Sequence, residues 1–138
     1  MRYGYRTAAF IGAFPLDSRF GLNEGFDVYD DRYPARPAAA LDFPERPAER
    51  TVTAALDWLT ARQGRWFLWI HLFDPHAPYA PPEPYATRFA KDPYSGEVAY
   101  VDETLGHSGP CFENSQHGAA RESAALMSWP LWSRECTP

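Results

Sequence analysis

The sequence predicts an α/β fold in which helices flank a parallel sheet. Two short apolar segments have the composition of buried strands, residues 5–11 (YRTAAFI) and residues 66–73 (WFLWIHLF). An amphipathic helical pattern lies between them and a second one follows, and strands that alternate with helices are typical of parallel sheets. In such sheets, ligands bind beyond the carboxyl ends of the strands, so we expect a functional site there.

The first strand ends at Gly12 and leads into an irregular region. Residues 14–31 are rich in Gly, Asp and Phe and have no sustained periodicity, and residues 33–47 contain four prolines. Asp30 and Asp31 are adjacent carboxylates, which can bind hard cations. Because Arg32 stands beside them, we expect a solvated loop rather than a metal site.

The first helix is predicted from four apolar residues at helical spacing. Val52, Ala55, Leu56 and Leu59 recur at i, i+3, i+4 and i+7, and Glu49 lies near the helix start. The segment of residues 66–73 follows directly. Since it is apolar at consecutive positions, we expect a strand that is covered on both faces.

The second helix is predicted over about residues 95–105. Val98, Val101 and Leu105 share one face of it, which we expect to be the buried face, and Gly106 is suited to end it.

Polar side chains cluster at the end of the second strand. His71 lies within the strand, whereas Asp74 and His76 lie at and beyond its end, in a loop stiffened by prolines. A histidine there could donate a hydrogen bond to an anion or protonate a leaving oxygen, or it could cap a turn; the pattern leaves both open for His76. For His71 a structural role in the core is favoured. A zinc site formed by the two histidines fits no common ligand spacing.

Composition limits the partners. The formal net charge of −5 argues against nucleic acid or an anionic membrane as the main partner. No apolar run approaches the roughly 20 residues needed to span a bilayer. We therefore expect no nucleic acid partner and no membrane span.

Four segments, in order over about residues 3–106, resemble the sulfatases of the alkaline phosphatase superfamily. Residues 4–12 (GYRTAAFIG) resemble the family's G-Y-x-T-A-x-x-G strand, and residues 21–31 (GLNEGFDVYDD) its G-F-D loop. Residues 67–82 (FLWIHLFDPHAPYAPP) resemble its P-H-x-P-Y loop, and residues 96–106 (GEVAYVDETLG) the helix that follows. The resemblance implies a piece of an alkaline-phosphatase-like sheet with flanking helices.

The resemblance also implies a chemistry. Sulfatases hydrolyse sulfuric esters of small molecules or glycans with a formylglycine nucleophile, made from Cys or Ser, and a calcium ion held mostly by Asp and Asn. The family's C/S-x-P-x-R nucleophile motif and its aspartate-rich metal motifs do not occur at the matching places in this chain. Where many members have G-K-W-H-L-G, this chain reads GAFPLD at residues 12–17. We therefore expect no metal ligand and no cofactor in this chain, and no activity of the chain by itself.

One family position is retained. His76 matches the histidine that contacts the sulfate near the leaving oxygen, so the resemblance implies a catalytic and substrate-binding role for it. Cys136, Thr137 and Pro138 copy the start of the nucleophile motif, but the arginine is missing and the order along the chain is reversed, so chance explains them.

The chain divides at residue 106. Residues 1–106 are predicted to form a partial sulfatase-like domain, while residues 107–138 change abruptly in composition and are predicted to come from a shifted reading frame. Two alternative functions remain open without the nucleophile: a phosphonate or phosphate ester hydrolase of the same superfamily, and a non-catalytic binding protein on the same scaffold.

Overall fold

A computed structural model describes residues 4–34 and 44–107 of the chain. Its three strands are β1 (Arg6–Ile11), β2 (Val28–Asp30) and β3 (Trp66–His71). Its helices are α1 (Ala48–Thr60), α2 (Tyr85–Arg88) and α3 (Pro93–Gly106). The strands form one parallel sheet in the order β2-β1-β3. The predicted α/β class, with helices flanking a parallel sheet, is confirmed.

Helix α1 covers one face of the sheet. Ala8 in β1 pairs with Val28 of β2 and with Leu68 of β3, so these three residues lie side by side across the three strands. Successive strand residues point to opposite faces, so this face also carries Phe10. The buried cluster between sheet and helix consists of Ala8, Phe10, Ala55, Trp58 and Leu59. The helical spacing found in the sequence thus marks the face of α1 that packs on the sheet.

The opposite face of the sheet is covered at its centre by Phe26. The Phe26 ring lies 6.0 Å, centroid to centroid, from both Phe67 and Trp69 of β3, and 5.7 Å from Tyr29 of β2. Phe67 is nevertheless 53% exposed. The prediction that β3 is covered on both faces is therefore wrong at this residue, because the Phe26 ring contacts the Phe67 ring without enclosing it. The three residues of β2 were missed because so short a strand carries no periodicity.

The amino end of α1 is capped by residues that lie far away in the sequence. Its N-cap, Pro47, makes no side-chain cap. Instead, a carboxylate oxygen of Asp74 accepts a hydrogen bond from the Ala48 amide at 3.0 Å, and the Tyr100 hydroxyl accepts one from the Glu49 amide at 3.0 Å. These contacts satisfy amides that a helix start leaves without an intrahelical partner, and they tie α1 to β3 and α3.

Helix α3 buries a face that shares with the predicted one only Val101, which is partly buried. Its buried residues are Gly96, Glu97 and Tyr100, whereas Val98 is 41% and Leu105 42% exposed. Tyr100 packs with Ala48 of α1 and Tyr85 of α2 in a second buried cluster. The prediction was wrong for Val98 and Leu105 because it counted apolar residues, while the buried face packs through a glycine, a hydrogen-bonded glutamate and a tyrosine. No helix within the described residues is both long and apolar enough to cross a membrane.

Candidate functional site

The candidate site lies where β1 and β3 end together. Ile11 and His71 are paired at the carboxyl ends of these parallel strands. At the next position, a β-carbon added to Gly12 would lie 2.7 Å from the His71 carbonyl oxygen and 3.0 Å from the Phe73 amide nitrogen. Such a close approach of two backbones requires glycine. Gly12 therefore sets how closely the loop after β3 passes the end of β1.

Asp74 anchors the start of that loop. Burial raises the pKa of the Asp74 carboxyl, while its hydrogen bond from the Ala48 amide acts in the opposite direction. The partial positive charge at a helix amino end favours a carboxylate there. Asp74 thus joins the loop to α1 at the cost of a partly desolvated charge.

Glu97 of α3 anchors the middle and the end of the loop. One of its carboxylate oxygens accepts a hydrogen bond from the His76 amide at 3.0 Å, and the other accepts one from the Ala80 amide at 2.7 Å. Glu97 is buried, and α3 brings it to the loop from 21 residues away in sequence. This residue was not predicted from the sequence. The pattern that could have indicated it is a glutamate on the same helix face as Gly96 and Tyr100.

His76 is exposed, and its ring is stacked on Phe73. The two ring centroids are 4.0 Å apart and the ring planes are inclined by 24°. The backbone of His76 is held by Glu97, so both the main chain and the ring of this histidine are placed. An exposed imidazole on an anchored loop can present an N–H donor to an anion.

His71 has different surroundings. It is the last residue of β3 and half-buried, and burial lowers the pKa of its imidazole. Its Nδ1 atom is buried and has no hydrogen-bond partner in the part of the chain that the structure describes. His71 is therefore half-buried at a strand end with one unpartnered ring nitrogen, and its structural role stays a prediction.

The described residues do not fit a metal centre. In residues 4–34 and 44–107, no three His, Cys, Asp or Glu side chains come together as a set of ligands. No such set therefore includes His71 and His76, the pair considered for zinc. That the chain carries no cofactor of its own stays a prediction.

Asp30 is not part of a solvated loop. It is buried at the end of β2 and forms ion pairs with Arg32 at 2.8 Å and with Arg46 at 3.4 Å. Hydrogen bonds from Arg32 lower the pKa of the Asp30 carboxyl. The prediction was wrong for Asp30 because Arg46, sixteen residues later in the sequence, is buried beside it. Asp31 instead accepts a hydrogen bond from the Ser18 amide at 2.8 Å.

A separate cleft of about 680 Å³ lies between the end of β2 and α1. Three arginines line it, Arg32, Arg46 and Arg50, together with Glu49 and Asp57. Because Arg32 and Arg46 already pair with Asp30, the positive charge of the cleft is largely neutralised. We therefore place the candidate site at the loop after β3.

A family model described as Sulfatase matches residues 2–108, which is most of the chain. The chain belongs to the sulfatase family. The match confirms the resemblance seen in the four segments, and with the parallel sheet it identifies this chain as a partial sulfatase domain of the alkaline-phosphatase-like fold. No curated protein matches the chain.

The sulfatase match includes the loop of His76 but does not test the role of that residue, which stays a prediction. Family members act on sulfuric esters, so such an ester is the class of substrate that membership suggests. The prediction that residues 107–138 come from a shifted reading frame concerns residues that, apart from His107, lie outside the described part of the chain.

Proposed function

We propose that this chain supplies part of the catalytic domain of a sulfuric ester hydrolase whose substrate is a small-molecule or glycan sulfate ester. The sulfatase match over residues 2–108 carries the proposal. The exposed imidazole of His76, on a loop anchored at the carboxyl end of the sheet, supports it, because ligands of such sheets bind at this edge.

In this proposal His76 acts on the ester itself. An imidazole N–H can donate a hydrogen bond to a sulfate oxygen and stabilise the negative charge that grows on the leaving oxygen as the S–O bond breaks. His71 has no such role, because it is half-buried at the end of β3 and its Nδ1 atom is buried.

The chain by itself is proposed to be inactive. Hydrolysis in this family needs an activated nucleophile and a metal, and the chain has neither the C/S-x-P-x-R motif in its family position nor the aspartate-rich metal motifs. The test is an assay of the purified 138-residue chain with a generic aryl sulfate and calcium. We expect no turnover above that of a blank preparation, and turnover that copurifies with the chain would contradict the proposal.

The role of His76 is tested in a complete sulfatase that joins this segment to nucleophile and metal motifs. We expect His76→Ala to lower kcat by about a hundredfold or more, as loss of one transition-state donor does, with unfolding unchanged. His71→Ala is the matched control, since it should lower stability more than turnover. Near-normal turnover of His76→Ala would refute the assignment.

The same enzyme separates the alternative functions. A sulfatase should have a higher kcat/KM for an aryl sulfate than for the matching aryl phosphate or phosphonate. The reverse order would identify a phosphate or phosphonate hydrolase. Binding of these esters without turnover of any of them would favour the non-catalytic binding protein.

A further inference from the structure

Glu97 is a buried carboxylate that is compensated by main-chain amides. It is 4% exposed, and a buried carboxylate is costly unless it is paired or well hydrogen-bonded. Over residues 4–34 and 44–107, no cationic side chain forms an ion pair with it. Its carboxylate oxygens instead accept hydrogen bonds from the amides of His76 and Ala80. The Glu97 carboxylate thus binds the main chain of a single loop, the one after β3.

The two hydrogen bonds close a five-residue turn. One carboxylate oxygen accepts from the first residue of the turn, His76, at 3.0 Å, and the other accepts from the last, Ala80, at 2.7 Å. Hydrogen bonds to an ionised acceptor are stronger than those between neutral groups. A neutral side chain of the same shape cannot reproduce both bonds, because an amide presents one acceptor oxygen and one NH₂ donor.

The helix is shaped to bring Glu97 to this turn. At the preceding residue, a β-carbon added to Gly96 would lie 2.9 Å from Cγ of Pro81 and 3.2 Å from Cβ of Phe89. A β-carbon at position 96 would therefore require Pro81 or the helix to shift. Gly96 therefore allows the short reach from Glu97 to the turn.

We propose that Glu97 is a positioning residue that sets the place of the His76 imidazole at the substrate. By holding the His76 amide, it keeps the ring stacked on Phe73 and turned toward solvent. The inference rests on the proposed role of His76 in sulfate ester hydrolysis and adds what holds that histidine. Glu97 does not touch the substrate.

The first test needs no substitution. Amide hydrogen exchange of the full chain, measured by NMR, should be at least about tenfold slower at His76 and Ala80 than at Ala77 and Tyr79, after correction for intrinsic rates. The reason is that the first two amides bind the carboxylate, whereas the other two have no acceptor among residues 4–34 and 44–107. Equal exchange at all four amides would refute the proposal.

The second test compares Glu97→Gln with Glu103→Gln. Glu103 lies on the same helix but accepts a hydrogen bond from the Tyr85 hydroxyl, away from the turn. In Glu97→Gln, exchange at His76 or Ala80 should rise about tenfold, and the His76 ring protons should lose the shift caused by the Phe73 ring. Glu103→Gln should keep both signals. Unchanged signals in Glu97→Gln would overturn the proposal; if that variant does not fold, the exchange pattern of the unsubstituted chain decides.

A third measurement separates this inference from the proposed function. In the complete sulfatase described above, Glu97→Gln should lower kcat about tenfold or more with little change in KM, while Glu103→Gln keeps both. If the enzyme hydrolyses sulfate esters and Glu97→Gln keeps full kcat, the positioning role fails and the function stands. If His76→Ala keeps full kcat while the exchange pattern is as expected, His76 has no catalytic role. Glu97 then stabilises the loop without positioning a catalytic group.

Discussion

Asp74 makes the stability of the loop depend on pH. Burial raises the pKa of its carboxyl above the ordinary value of 3.8, so the folded state binds this proton more tightly than the unfolded state does. For such a group, the contribution to the free energy of unfolding falls as pH rises from about 4 through the folded pKa, and it stays low above that pH. The charged Asp74 is therefore less favourable than a neutral group that keeps the same hydrogen bond.

The substitutions Asp74→Asn and Asp74→Ala separate the charge from the hydrogen bond. Asparagine keeps an acceptor for the Ala48 amide without the desolvated charge, so we expect a higher free energy of unfolding at pH 7 and a weaker dependence on pH between 4 and 7. Alanine leaves the buried amide without its acceptor and should lower the free energy by about 1 kcal/mol.

The measurement is urea unfolding of the three proteins at several pH values. An Asp74→Asn protein that is less stable than the unsubstituted chain at pH 7 would show that the helix amino end favours the charge more than burial opposes it.

Gly12 joins two elements, the end of β1 and the chain leaving β3. A methyl group there would meet backbone atoms at 2.7 and 3.0 Å, which cannot move aside as a flexible side chain can. We expect Gly12→Ala to lower the free energy of unfolding by about 2 kcal/mol, as overpacking does. Thermal and urea unfolding would measure it.

Gly106 provides the matched control for Gly12. It lies in the last turn of α3, and an added methyl group would meet nothing within 4 Å. Gly106→Ala should therefore stabilise the chain by about 0.5 kcal/mol, since alanine is the better helix former. Equal effects of the two substitutions would show that the contact at Gly12 relaxes without cost.

The buried face of α3 is tested by one substitution on each side of the helix. Val98→Lys should change the free energy of unfolding by less than about 0.5 kcal/mol, because the site is 41% exposed. Tyr100→Ala should cost about 3 kcal/mol, because it removes a buried ring and the acceptor for the Glu49 amide. A large loss of unfolding free energy in Val98→Lys would instead support the buried face that the apolar spacing predicts.

At the scale of the whole molecule, the described core lies within residues 4–107. Its two buried clusters pack α1 on the sheet and α3 on α1 and α2. If residues 107–138 come from a shifted reading frame, they should add nothing to this core. A chain that ends after His107 should then keep its free energy of unfolding within about 0.5 kcal/mol, the range of changes outside the core.

The coding DNA tests the shifted frame directly. We expect another frame after codon 106 to continue the amphipathic helix and then to encode an apolar strand and a D-H-G-like metal motif. If both other frames are closed by stop codons or lack these features, the segment is genuine, and a large loss of stability on truncation would agree with that.

The sequence by itself determined the class of the protein. Helical spacing of apolar residues marked α1, and short apolar runs marked both long strands, because a helix that covers a sheet buries one face and a strand within a sheet is apolar. The order of four motifs identified the family and gave His76 as the candidate site residue. Each helix, strand and motif is a local feature that one segment of chain carries, and the family follows from the order of these segments along the chain.

Only the tertiary structure decided which polar groups are buried and what they hold. Asp30 is buried because Arg46 packs beside it, Asp74 caps a helix that begins 26 residues earlier, and Glu97 holds a turn 21 residues before it. The inward face of α3 was decided in the same way. A polar side chain is stable in the interior only when its partners are in place, and those partners are distant in the sequence and close only in the fold.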